Sequence, residues 1–263
     1  MEWYGETGAH YYDFHSTGVE GDVEFYREEA ERAGSPVLEL GCGTGRTLIP
    51  IAHAGIEIVG LDRSPFMLAI ARQKLAEQDP AAQANAILLE GDMRTFNLPQ
   101  RFNLVTIPYR AFLHLTTPED QRQALRRVHE HLAEGGRLAL DVFDPRLEHI
   151  VERTSLADAK LELISEFTKP DTNRRVLVWG TNQYDPERQL VHQYFVYEEV
   201  NQAGKVVGKS YSLLSLRYVY RYEMQYLLEL CGFEVEALYG DFHRGPFRYG
   251  GEQVWVAQKK PLA

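Results

Sequence analysis

Between Val37 and Arg46 the chain reads Val-Leu-Glu-Leu-Gly-Cys-Gly-Thr-Gly-Arg, a short apolar run that carries an acidic residue and then opens into glycines at alternate positions. Glycine serves where a backbone must turn sharply and where a ligand must approach without meeting a Cβ. Two more carboxylates follow at the ends of apolar runs. Ile56 to Leu61 ends in Asp62, and the run from Ala86 closes on Glu90-Gly91-Asp92-Met93. Open α/β sheets bind ligands at the carboxyl ends of their strands, and a carboxylate at the Asp62 distance suits ribose hydroxyls. Glu39, Asp62 and Asp92 therefore read as binding groups and not as proton carriers; the alternative is that they are caps or solvated strand-end carboxylates.

A dinucleotide site would need G-x-G-x-x-G. Here the sixth position is Arg46, and the third glycine falls one residue early at Gly45. Acidic-x-Gly-x-Gly-x-Gly resembles motif I of the class I S-adenosylmethionine-dependent methyltransferases, and the resemblance extends from Val37 to Asp144. It implies that S-adenosylmethionine is the cofactor. Glu39, Gly41, Gly43 and Gly45 would cradle it, with Met67 on the helix that Ser64-Pro65 starts. Asp62 would hold the ribose hydroxyls, Asp92 would meet the adenine amino group, and the backbone of Met93 a ring nitrogen.

The elements that must position these residues follow from periodicity and punctuation. A helical stripe (Val19, Val23, Tyr26, Ala30, Ala33) precedes Gly34-Ser35-Pro36. Helix is expected over 46–54 and from Thr117-Pro118 to Leu132, with strands at 101–107 and 137–143. Alternation at this spacing implies an α/β fold: a seven-stranded, Rossmann-like, doubly wound sheet. From 160 to 220 the pattern turns to strands without helices (161–168, 174–184, 189–200, 206–218), which reads as an inserted antiparallel β-meander. A helix at 223–231 and strands at 233–239 and 253–258 then complete the parent fold. The expected division is a lid segment and helix at 1–34, a cofactor-binding core at 35–150, the inserted sheet at 151–220, and the end of the core at 221–263.

That insert, with an N-terminal Tyr12-Asp13 segment and a turn carrying Phe112 and His114 after the fourth strand, more loosely resembles the amino-sugar N,N-dimethyltransferases. By that resemblance Tyr12 joins the cofactor-binding residues. In the family Asp usually stands at Asn103, a departure expected to loosen a helix cap. His114 is the candidate catalytic residue, as a base near neutral pH or as a histidine that only bonds a loop carbonyl. Tyr109 and Arg110 before it are candidates for the acceptor pocket, with Arg110 alternatively a structural ion pair. The aromatic N-terminus (Trp3, Tyr4, Tyr11, Tyr12, Phe14) reads either as a lid over the sulfonium or as a clasp on the meander.

Net charge is −10 over 263 residues and no basic cluster stands out, so nucleic acid and anionic membrane are disfavoured as partners. The histidines lack ligand spacing and the two cysteines, Cys42 and Cys231, lie far apart, so no metal is expected. The cysteines also suggest a reducing cytoplasm. The expected function is methyl transfer to a small-molecule acceptor at nitrogen or oxygen, with a homodimer through the inserted sheet as a further partner. The alternatives are a non-catalytic cofactor-binding scaffold and a nucleotide-sugar or nicotinamide enzyme.

Overall fold

Capped helices and short apolar strands alternate along most of the chain, and a computed structural model describes residues 6–155, 159–170 and 172–260. In chain order these are α1 (Glu6–His15), α2 (Asp22–Ala33), β1 (Val37–Leu40), α3 (Leu48–His53), β2 (Ile58–Asp62), α4 (Pro65–Ala76), α5 (Pro80–Asn85), β3 (Ala86–Glu90) and β4 (Phe102–Ile107). A 3-10 turn (Ala111–His114), α6 (Pro118–His131), β5 (Leu132–Phe143) and α7 (Leu147–Glu152) follow. Then come β6 (Glu162–Thr168), β7 (Arg175–Asp185), β8 (Leu190–Val200), β9 (Val206–Arg217), α8 (Arg221–Leu230), β10 (Phe233–Tyr239) and β11 (Glu252–Lys259). The starts of α4 and α6 are set by capping. Ser64 accepts from the Met67 N–H and Thr117 from the Asp120 N–H, each followed by a proline whose missing donor is harmless in a first turn.

The first unit of the fold spans 18–145 and 218–263. Its seven strands lie in the order β10-β11-β5-β4-β1-β2-β3. β3, β2, β1, β4 and β5 are mutually parallel, and β11 and β10 add antiparallel to β5. Chain direction across the sheet reverses between β1 and β4, so the carboxyl ends of those two strands frame the crevice where such sheets bind ligands. Leu38 and Leu40 on β1, with Leu104, Val105 and Ile107 on β4, are fully buried, as strands covered on both faces must be.

The second unit comprises the described residues up to Thr17 together with 146–217. It is the antiparallel meander β6-β7-β8-β9. On one face α1 packs: Tyr11 stacks on Tyr197 at 4.6 Å and Phe14 on Phe167 at 4.5 Å, while His15 bonds the Tyr197 hydroxyl. Helix α1 is thus a clasp on the meander, the second of the two readings of the aromatic N-terminus. Trp3 and Tyr4 lie outside the described residues.

Four expectations need correction. The 1–34 block is divided, because the aromatic side chains of α1 pack on the meander while α2 belongs to the larger sheet. β5 starts at Leu132 and not at Arg137. Gly135, with φ +71°, lets the strand shift register between the Phe102 and Leu104 pairings, so Gly135-Gly136 is a bulge inside the strand and not only a helix stop. Three short helices were missed, α1, α5 and α7; only α5 carried a local signal, the Asp79-Pro80 cap. Asn103 loosens no cap. Its side-chain amide donates to the Ser35 carbonyl at 2.7 Å and ties the start of β4 to the turn before β1.

The meander has its own electrostatic fastener. Burial alone would raise the Glu199 carboxyl, but hydrogen bonds from Lys169, Tyr11 and Arg174 pull its pKa down to about 2. A depressed carboxylate stabilises the fold above its unfolded pKa and ceases to do so as pH falls through the folded value. Glu199→Gln should therefore destabilise the protein by about 1 kcal/mol at pH 7. In thermal melts the difference from the parent should shrink between pH 4.5 and 2.

Candidate active site

Gly41, Gly43 and Gly45 all take positive φ, at +72°, +53° and +81°. The loop they form leaves β1 while the Gly41 and Cys42 amides still bond the Leu61 carbonyl of β2. The space around it explains the glycines. A Cβ on Gly41 would fall 2.7 Å from that of Ala111, so the loop and the 3-10 turn after β4 are in close contact. Among the described residues a Cβ on Gly43 would meet only the Met67 methyl, at 3.5 Å, an ordinary contact. The Met93 methyl lies near Gly41. The structure thus gathers Met67, Met93 and Ala111 around the loop.

Glu39 lies beneath the loop at 1% exposure. Its Oε1 accepts from the Thr47 hydroxyl at 2.7 Å, while its Oε2 is buried and finds no hydrogen-bond partner among the described residues. Burial pushes its pKa up to about 7, against the opposing effects of the Thr47 hydrogen bond and the Arg46 charge. A buried carboxylate with one oxygen unsatisfied is a costly group to keep. It fits the cationic amino group of a ligand.

Asp62 ties the edge of the sheet to the loop: Oδ2 accepts from the Gly43 N–H at 2.8 Å and Oδ1 from the Ser64 N–H at 2.8 Å. Burial raises its pKa, and those backbone donors moderate the rise. Asp92 is engaged differently. Both its oxygens are held by the Arg94 guanidinium, at 2.6 to 3.1 Å, and Arg94 reaches on to Asp120. Burial would raise the Asp92 pKa, but the Arg94 bonds and the Arg63 charge outweigh it and hold the carboxyl below its usual range.

The turn after β4 is strained. Tyr109 and Arg110 are consecutive non-glycine residues at φ +51° and +63°. Each such residue costs about 1–3 kcal/mol and persists only where surroundings enforce it. Here the Arg46 guanidinium sits 5.0 Å over the Tyr109 ring, and Arg110 pairs with Glu252. Arg46 is itself fixed by a two-pronged pair with Asp22 at 2.6 and 2.8 Å. The Arg46 that fails the dinucleotide fingerprint is thus a strut between the glycine loop and this turn. His114 ends the turn with some exposure left to the residue, yet the packing around its ring lowers its pKa to about 4. It is neutral at pH 7, able to accept a hydrogen bond but too weak to hold a proton there. Tyr12 lies on α1, buried, in the other unit.

Asp141, near the end of β5, is a site residue that sequence reasoning missed. It has no exposure and accepts from the Tyr26 hydroxyl and the backbone of the strained turn. An acidic residue inside the apolar run Leu138 to Phe143 was the available signal. Cys42 and Cys231 are both buried free thiols.

Residues 37–136 match the profile of a family described as "Methyltransferase domain". Over these residues the chain is similar to a methyltransferase domain. Among similar proteins, a cypemycin N-terminal methyltransferase from a Streptomyces species is 32% identical over 54% of this chain and 57% of its own length. A dTDP-3-amino-3,6-dideoxy-alpha-D-glucopyranose N,N-dimethyltransferase from Streptomyces fradiae is 34% identical over 43% of this chain and 45% of its own. The chain thus spans about half the length of these relatives. In fold it resembles the CcbJ methyltransferase of Streptomyces caelestis, with a TM-score of 0.78 and 23% identity over 99% of this chain and 94% of the other. It also resembles CalS10, an amino pentose methyltransferase of Micromonospora echinaspora, with a TM-score of 0.68 and 24% identity over 99% of both chains. The chain has a seven-stranded sheet and a separate antiparallel four-stranded sheet, and no described helix is long and apolar enough to cross a membrane.

The Glu39 environment can be read without any ligand. Its folded pKa of about 7 lies above the unfolded value of 4.5, so the ionised form is penalised and stability falls as pH rises between the two. Glu39→Gln removes that penalty. In denaturant titrations the variant should gain about 2 kcal/mol on the parent between pH 5 and pH 8; a constant difference across that range would contradict the assignment.

Proposed function

We propose that this methyltransferase carries a methyl group from S-adenosylmethionine to an amine on a small-molecule acceptor. The observation that carries this reading is the buried Glu39 carboxylate with its unsatisfied Oε2, set beneath a loop of left-handed glycines. The amino group of the cofactor's methionine part would supply the missing partner. Gly43 leaves room for the cofactor to pass along the backbone, and Asp62 offers its carboxylate to the ribose hydroxyls. Asp92 would meet adenine only by sharing its oxygens with Arg94, and the backbone of Met93 would meet a ring nitrogen.

When bound, the cofactor supplies a methyl carbon already activated by its positive sulfur. The residues of the chain then have to align the acceptor, which can contribute roughly 7–11 kcal/mol towards the barrier. The acceptor nitrogen must present a lone pair. His114, neutral at pH 7, would take a hydrogen bond from that nitrogen and orient it, while Tyr109 and Arg110 would line the acceptor's side of the turn. An amine is favoured over a hydroxyl because the relatives named above are an N-terminal and an N,N-dimethyltransferase.

The finer parts of the reading concern surroundings. Free buried cysteines suit the cytoplasm. The meander face opposite α1 carries Leu177, Trp179, Tyr194, Val196 and Tyr211, and Tyr211 is 68% exposed. A second copy of the chain is the proposed cover for that face, to be checked by sedimentation velocity. Nucleic acid is not among the proposed partners.

Calorimetry with S-adenosylhomocysteine tests the cofactor half of the proposal. Asp62→Ala should weaken binding by about 1.5–3 kcal/mol, as expected on losing a charged acceptor; unchanged affinity would remove Asp62 from the site. For the acceptor half, His114→Asn should lower kcat/KM by about tenfold, mainly through the acceptor's KM, with the pH profile above pH 5 unchanged. A fall in kcat of roughly 10²–10⁴ with a flattened acid limb would instead make His114 a general base.

A further inference from the structure

The strained turn after β4 is held from below. The Asp141 carboxylate reaches from β5 and accepts from two successive backbone N–H groups: Tyr109 to Oδ1 at 2.7 Å and Arg110 to Oδ2 at 3.1 Å. A third donor, the Tyr26 hydroxyl of α2, binds Oδ1 at 2.6 Å. Both Asp141 and Tyr26 have zero exposure. Two adjacent left-handed residues direct successive amides towards one anion, a backbone arrangement that favours negative charge. The two residues so gripped are those with the unfavourable φ values, and the next residue, Ala111, is the one in close contact with Gly41.

We propose that Asp141 is a positioning residue, whose grip on the Tyr109 and Arg110 amides keeps the acceptor-side turn in its left-handed form against the glycine loop. Its activity arm rests on the methyl-transfer reading above. The grip is selective for a carboxylate. The two backbone N–H groups are directed at different oxygens, so an asparagine at this place would set its NH2 against one of them. The charge is not kept there for its own stability. Burial, and then the Glu252 charge, raise the Asp141 pKa to about 6, against the Tyr26 bond, the Arg110 charge and the Tyr109 amide. The side chain is therefore an expensive anion whose evident return is the geometry of the turn.

The test compares the full chain with its Asp141→Asn variant by two readouts. Amide hydrogen exchange at Tyr109 and Arg110 should become at least about tenfold faster, while amides of β1 and β2 keep their protection. With S-adenosylhomocysteine affinity unchanged, kcat/KM for the amine acceptor should fall at least about thirtyfold, a split that general destabilisation would not give. Unchanged exchange at the two amides, or an unchanged kcat/KM in a variant whose amides exchange faster, would overturn the proposal. Should Asp141→Asn fail to fold, Tyr26→Phe takes its place, removing one donor to the same carboxylate without opening a large cavity. It should give at least a threefold loss of kcat/KM at unchanged cofactor affinity, and no loss would be fatal to the idea. If the unaltered protein bound no S-adenosylhomocysteine, the methyl-transfer reading would fall, and the exchange arm alone would decide the role of Asp141.

Discussion

Glu39 and Asp141 are carboxylates buried under the carboxyl edge of a parallel sheet, and the geometry of the site depends on that burial. Among the described residues neither is neutralised by an ion pair of its own. Glu39 has the Thr47 hydroxyl on one oxygen, and Asp141 has a tyrosine hydroxyl and two backbone amides. Desolvation raises both pKa values towards neutrality. A fold that retains such groups gives up stability to place charge, a pattern that marks functional sites. β1 and β4 are neighbours at the reversal of strand order, so the loop above Glu39 and the turn gripped by Asp141 come into contact. Arg46 spans the same junction from Asp22 to the Tyr109 ring. The proposed cofactor side and acceptor side are therefore parts of one edge.

The chemistry assigned to this edge asks little of proton transfer. A sulfonium methyl is already activated, so catalysis depends on distance and angle, which the rigid turn and loop can enforce. The low pKa of His114 agrees with that division of labour. A ring desolvated this strongly serves as a neutral hydrogen-bond acceptor, not as a store for a proton at neutral pH.

Much of this was readable from the chain because its signals are local. The Glu39-to-Gly45 spacing, the carboxylates Asp62 and Asp92, and the Ser64-Pro65 and Thr117-Pro118 caps each occupy a few consecutive residues. The antiparallel meander announced itself by turn residues between β-rich runs. What escaped depends on contacts distant in sequence. Asp141 acquires its role from Tyr26 and from a turn 31 and 32 residues away. Arg94, beside Asp92 in sequence, is also tied to Asp120, 26 residues away, and the aromatic residues of α1 find their partners in the meander. The bulge at Gly135 shows the same limit, since a glycine pair that stops a helix and one that bends a strand look alike until the pairing partner is known.

The most direct test of the central claim is calorimetric titration of S-adenosylhomocysteine at pH 7 in buffers of different ionisation enthalpy. If Glu39 awaits the ligand's amino group, its pKa must fall when that cation arrives. Binding should then release up to about half a proton, and the release should disappear in Glu39→Gln. Binding with no proton release, or the same release from the Glu39→Gln protein, would contradict the account of this buried carboxylate; an absence of binding at millimolar ligand would contradict the cofactor reading altogether.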